Sequence, residues 1–132
     1  MASAHETTVR QVYEAANRRD MDAILAGTHE AVEVRPVLGV NLGANVYRGH
    51  EGIRQWTEDL WGDWESFDVS VGEVTERGDW LLYEVGIVGR GRASGADIDA
   101  ELFHLAAMRD GLIVRIEAFT ERAAAVRALE AT

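Results

Sequence analysis

Two tyrosines and one histidine lie among apolar residues, and they define most of the chemistry open to this chain. His104 interrupts the hydrophobic run LFHLAAM (102–108). An imidazole in such a place is either a core group satisfied by hydrogen bonding or a pocket group able to move a proton near neutral pH. Tyr13 shares a helical face with Val9, Val12 and Ala16, either as a core ring or as a hydrogen-bond donor in a pocket. Tyr83 alternates in step with Leu81, Val85 and Ile87, so it points inward with them. The chain has no cysteine, which excludes disulfides, thiolate metal sites and thiol nucleophiles together. His5, His29, His50 and His104 lack the close spacing of a zinc site, so no metal is expected. GRGRASG (89–95) lacks the strand-to-helix context of a phosphate loop and reads as a hairpin. With no dinucleotide fingerprint and no GxSxG, no cofactor is expected.

These residues must be positioned by elements of two periods. Ser3 and Glu6 have capping-box spacing ahead of a helix over about 4–18, and Asp20 can cap a short second helix that Gly27 stops. A strand follows over 31–35, with Pro36 at its end. Ile53, Trp56, Leu60 and Trp64 recur at intervals that predict a third helix over about 49–64 with an aromatic stripe. Strands are expected at about 67–76, 80–90, 97–109 and 112–120, and Thr120 can cap a closing helix, TERAAAVRALEA. The stretch VLGVNLGANVYR (37–48) has no period and reads as an ordered loop. Its Asn41, Asn45 and Tyr47 are candidates for a pocket mouth. The order predicts an α+β fold: helices against one face of a curved, mostly antiparallel sheet, with a pocket between them.

The direction of His104 depends on the turn at Arg109-Asp110-Gly111. A two-residue turn pairs Arg109 with Leu112 and sets His104 opposite Glu117; a three-residue turn with a bulged glycine pairs Met108 with Leu112 and sets His104 opposite Ile116. The second puts Glu101, Arg109, Arg115 and Glu117 all on one face, with Leu102, His104, Ala106, Met108, Leu112, Val114, Ile116 and Ala118 on the other. The first divides the charges between faces and buries at least one, at several kcal/mol unless it is paired. The bulged turn is therefore expected, with His104 inside and Glu117 outside.

With 132 residues the chain suits one domain over 1–132. Its 47% apolar content and four tryptophans indicate a folded protein, and a net charge of −10 disfavours nucleic acid and anionic membrane surfaces as partners. No apolar run approaches the ~20 residues of a membrane span, and MASAHETT lacks a basic start and an apolar stretch. A cytoplasmic location is expected.

VYRGHEGIRQW (46–56), RGDWLLYEV (77–85), GRGRASG (89–95) and MRDGLIVRIEAF (108–119) together resemble the SnoaL-like branch of the nuclear transport factor 2-like superfamily. The resemblance implies a cone-shaped sheet wrapped on helices, a pocket at its open end, and a homodimer through the sheet's outer face, where Phe103, Leu105, Ile113 and Phe119 are expected among charges. The fold hosts isomerases, cyclases, dehydratases, hydrolases and non-catalytic binding proteins. The cyclases' histidine corresponds to His104, while the neighbourhood of their aspartate reads Ile116, Ala118 and Thr120. The isomerases' oxyanion tyrosine corresponds to Tyr13. Asp97, Asp99 and Arg115, the residue types of the epoxide hydrolases, fall on the outward parity.

The reading at this point is a cofactor-independent isomerase-, cyclase- or hydrolase-type enzyme acting on a small hydrophobic organic ligand. His104 and Tyr13 are the catalytic candidates, and Tyr83, Trp56, Tyr47, Asn41, Ile116 and Ala118 are substrate contacts. A non-catalytic ligand-binding or accessory protein with the same pocket is the alternative.

Overall fold

Side-chain caps start the first two helices where the sequence places them. In the computed structural model, which describes residues 2–36 and 46–132, Ser3 accepts from the Glu6 N–H at 3.0 Å and begins α1 (Ala4–Asn17). Asp20 accepts from the Ala23 N–H at 3.2 Å and begins α2 (Met21–Ala26), with Gly27 at its end. The chain continues through β1 (Thr28–Arg35), β2 (Tyr47–Arg48), α3 (Gly49–Asp63), β3 (Trp64–Arg77), β4 (Trp80–Gly91), β5 (Asp97–Arg109), β6 (Leu112–Phe119) and α4 (Arg122–Glu130). No described helix is long and apolar enough to cross a membrane. Several boundaries differ from the sequence expectation: β1 begins at Thr28, ahead of the expected 31, and Tyr47–Arg48 pair as β2 at the end of the stretch expected as a loop. Trp64 has extended backbone and opens β3, so it leaves the helical stripe; Glu121, not Thr120, occupies the N-cap of α4 and makes no side-chain cap bond. Asn41 and Asn45 lie outside the described residues.

The described strands form one curved, unclosed sheet in the order β2-β1-β6-β5-β4-β3, antiparallel except for β1 beside β6. A strand needs its edge covered or paired, and α1 does this for β3. Asn17 exchanges two hydrogen bonds with Val69, donating from Nδ2 to the carbonyl and accepting from the N–H, both at 2.8 Å. Arg10 donates to the Val71 and Gly72 carbonyls at 2.9 Å. These contacts fix α1, and with it Tyr13, against the sheet.

Two apolar clusters sandwich the sheet. The larger lies between its inner face and α1–α3, and includes Val9, Ile53, Leu81, Tyr83, Val85, Leu102, Ala106 and Ile116. The smaller lies on the outer face, where Ala125 and Leu129 of α4 pack on Leu82, Phe103 and Leu105, with Phe119 against them. The Arg122 guanidinium sits over the Phe103 ring at 5.0 Å. The outer residues expected at a dimer interface are thus placed differently: Phe103, Leu105 and Phe119 pack under the chain's own helix, and Ile113 is fully buried in the inner cluster.

The β5–β6 hairpin combines features of both turns considered from sequence. Asp110 and Gly111 have φ of +55° and +77°, and Arg109 pairs with Leu112, so the turn has two residues. Met108 then pairs with Ile113 but Ala107 with Arg115, which leaves Val114 as an extra residue. The bulge is real but sits in β6, not in the turn. It restores the parity that keeps Arg115 and Glu117 outward, and it sets His104 opposite Ala118, not Ile116. Ile113 turns inward in place of Leu112 and Val114, which are only partly buried.

Candidate functional site

Two strands and a helix bring three polar side chains to one point inside the apolar core. Tyr83 on β4 and His104 on β5 are directly paired across the strands, and Tyr13 descends on them from α1. The Tyr13 hydroxyl lies 2.6 Å from His104 Nδ1 and 2.7 Å from the Tyr83 hydroxyl. The rings meet edge to face or tilted, at 5.4–5.8 Å between centroids. All three are nearly inaccessible, with Tyr13 7%, Tyr83 1% and His104 6% exposed.

Burial dominates their electrostatics. No carboxylate partners His104, and desolvation lowers its pKa to about 4, so the ring is uncharged at neutral pH. Burial raises both phenols above their ordinary value, for Tyr13 with a further contribution from Tyr83. Both hydroxyls therefore keep their protons.

A cavity of about 80 Å³ lies between the helices and the inner face of the sheet, several times the roughly 10–15 Å³ that one water requires. α1 contributes Val12, Tyr13 and Ala16; α3 contributes Ile53, Trp56, Thr57, Leu60 and Trp61; the sheet contributes Phe67, Val69, Val85, Ile87, Leu102, His104, Ile116 and Ala118. Ile24, Thr28 and Pro36 complete the lining. No Asp, Glu, Lys or Arg is among these residues. The buried threonine hydroxyls are committed to backbone, Thr57 donating to the Ile53 carbonyl at 2.8 Å and Thr28 to the Ile24 carbonyl at 3.2 Å. His104 Nδ1 is engaged by Tyr13, and among the described residues Nε2 has no hydrogen-bond partner. His104 lines the cavity, so Nε2 is its nitrogen still available for a hydrogen bond there.

Of the site residues expected from sequence, His104, Tyr13, Trp56, Ile116 and Ala118 line this one cavity. Tyr83 stands behind Tyr13 and is not in the lining. Tyr47 is also absent from it: its ring packs near Trp56 at 6.5 Å, and its hydroxyl donates to Asp59 at 3.4 Å. Asn41 lies outside the described residues. Sequence periodicity missed Trp61 and Phe67. Trp61 follows Thr57 by one helical turn and was detectable there, and Phe67 follows the inward parity of Val69. Among the described residues no cluster of three His, Asp or Glu side chains is arranged to hold a metal.

The amino-acid sequence matches the SnoaL-like domain family over residues 9–116. A search of curated proteins finds no match. Three solved structures share the fold. TerC, crystallised with polyporic acid, has a TM-score of 0.79 at 23% identity, over 97% of this chain and 99% of that one. A putative SnoaL-like polyketide cyclase from Jannaschia sp. has 0.75 at 18%, over 98% and 93%. IdmH, a putative polyketide cyclase from Streptomyces antibioticus, has 0.76 at 15%, over 96% and 98%.

Proposed function

The chain belongs to the SnoaL-like domain family, and from that membership and the cavity around His104 we propose that it acts on a small, uncharged, hydrophobic organic molecule as an isomerase- or cyclase-type enzyme. The observation that carries this reading is a neutral imidazole on the wall of an otherwise apolar cavity, held through Nδ1 and with no partner for Nε2 among the described residues. His104 and Tyr13 are its catalytic residues, with Tyr83 supporting Tyr13. Trp56, Ile116 and Ala118 shape the space, and Tyr47 and Asn41 are proposed as further substrate contacts. The polyketide-type neighbours favour a substrate with ring and carbonyl carbons. A homodimer, which the family resemblance implies, would use outer-face surface away from Phe103, Leu105 and Phe119.

A second reading, ligand binding without turnover, is favoured by one observation: none of the lining residues is a carboxylate that could take a proton from carbon. Incubation with 1-indanone in D2O separates the two. The enzyme reading expects saturable binding and exchange of the ketone's α-hydrogens accelerated about a hundredfold, the low end for one positioned acid, with the acceleration lost in His104→Phe. Saturable binding without acceleration would leave the binding reading alone, and absence of binding would remove both.

A further inference from the structure

We infer that the Tyr83-Tyr13-His104 chain has one direction, which presents Nε2–H of His104 to the cavity and makes the site selective for molecules that carry a hydrogen-bond acceptor such as a carbonyl oxygen. This rests on the reading of the cavity as a ligand site and specifies what that site recognises.

The argument is a count of protons. Each tyrosine hydroxyl has one to donate, and a neutral imidazole has one on either nitrogen. In one arrangement Tyr83 donates to the Tyr13 oxygen, Tyr13 donates to His104 Nδ1, and the imidazole proton sits on Nε2. Both buried hydroxyl protons are then used. In the reverse arrangement Nδ1–H donates to Tyr13, Tyr13 donates to Tyr83, and the Tyr83 proton has no acceptor. Tyr83 is 1% exposed and makes no other hydrogen bond among the described residues, so water cannot rescue it. A buried donor without a partner costs more than a lone pair without one, because the oxygen's second lone pair commonly goes unused. Three protons serve two hydrogen bonds, so each arrangement leaves one donor over: the sealed Tyr83 hydroxyl in the reverse arrangement, and in the first Nε2–H of His104, a residue that lines the cavity, where water or a ligand can accept from it. The first arrangement is therefore the stable one.

Its consequence is that His104 works as a donor and not as a base. To accept a proton at Nε2 the ring would either reverse the whole chain, orphaning Tyr83, or become an imidazolium in a cavity lined by no charged group among the described residues. Donation from Nε2 to an oxygen needs neither. Tyr13 lines the cavity as well, but its single proton is committed to Nδ1, so it acts on the ligand through the imidazole.

Two measurements test this. The first is the nitrogen-15 spectrum of the His104 ring in the ligand-free full chain at pH 7. Protonated Nε2 with bare Nδ1 is expected; protonated Nδ1 would overturn the inference whatever the cavity binds. The second is equilibrium binding of 1-indanone and of indane, the same ring system without the carbonyl. Wild type is expected to prefer the ketone about fivefold, as one net hydrogen bond allows, and His104→Phe to lose that preference. If wild type binds indane as tightly or more tightly, the donor role fails while the cavity reading stands. If neither probe binds, the cavity reading fails, and the spectrum alone decides the proton's position.

Discussion

The Tyr13 hydroxyl stands between His104 and Tyr83, 2.6 Å from one and 2.7 Å from the other, so it is the shared member of both buried hydrogen bonds. Removing it is a different event from removing the end of the chain. Tyr13→Phe strands the Tyr83 proton and the His104 Nδ1 lone pair together, and we expect a loss of about 2–3 kcal/mol in urea unfolding. Tyr83→Phe removes one donor and strands only a lone pair, at about 1 kcal/mol. The double variant should lose clearly less than the sum, since the proton stranded by the first change is absent. Equal and additive losses would contradict the arrangement.

Stability should fall with acid in a window set by His104. Its folded pKa of about 4 lies below the ordinary 6.5. Between these values the unfolded chain binds a proton that the folded chain refuses, so stability is full above about pH 6.5 and declines as pH falls toward 4. The contribution is of order 3 kcal/mol. His104→Phe removes this component, so the difference in unfolding free energy between pH 7 and pH 4.5 should be smaller in the variant. An unchanged difference would show that the ring is not held neutral.

Ala118 faces His104 across the β5–β6 ladder and lines the cavity. Ala118→Leu should therefore fill part of the space, abolishing or weakening 1-indanone binding at least tenfold while the His104 ring keeps its proton on Nε2. Tight binding by the variant would place the ligand elsewhere.

Two glycines should respond oppositely to the same change. Gly111 has φ +77° in the turn, and Gly111→Ala should cost about 1 kcal/mol or more. Gly62 lies in the last turn of α3, where a Cβ meets nothing within 4 Å, and Gly62→Ala should stabilise by about 0.5–1 kcal/mol. Thermal unfolding of the pair checks the turn geometry that sets the register of β6.

What could be read from sequence followed from local periodicity. Caps at Ser3 and Asp20, the succession of the four long strands along the chain and the inward parity of His104, Tyr83 and Tyr13 each depend on spacing within one segment or on the separation of charged from apolar faces. The mechanism of the β5–β6 register was harder, because a two-residue turn and a later bulge at Val114 produce the same inner face at His104 as a bulged turn would. The pairing of the three polar groups was not legible at all. Residues 13, 83 and 104 meet through tertiary placement, with α1 held at one depth by Arg10 and Asn17 on the β3 edge and by its own core face. The outer apolar face had the same ambiguity. Phe103, Leu105 and Phe119 need a cover, and periodicity does not distinguish a second subunit from the chain's own α4.

Titration of 1-indanone into the full chain, followed through the nitrogen-15 and proton signals of the His104 ring, bears on the whole account. A saturable shift of Nε2–H with Nδ1 still unprotonated is expected, and the binding constant from that shift should match the one from calorimetry. Saturable binding that leaves the imidazole signals unmoved would mean that His104 does not touch the ligand and would contradict the account.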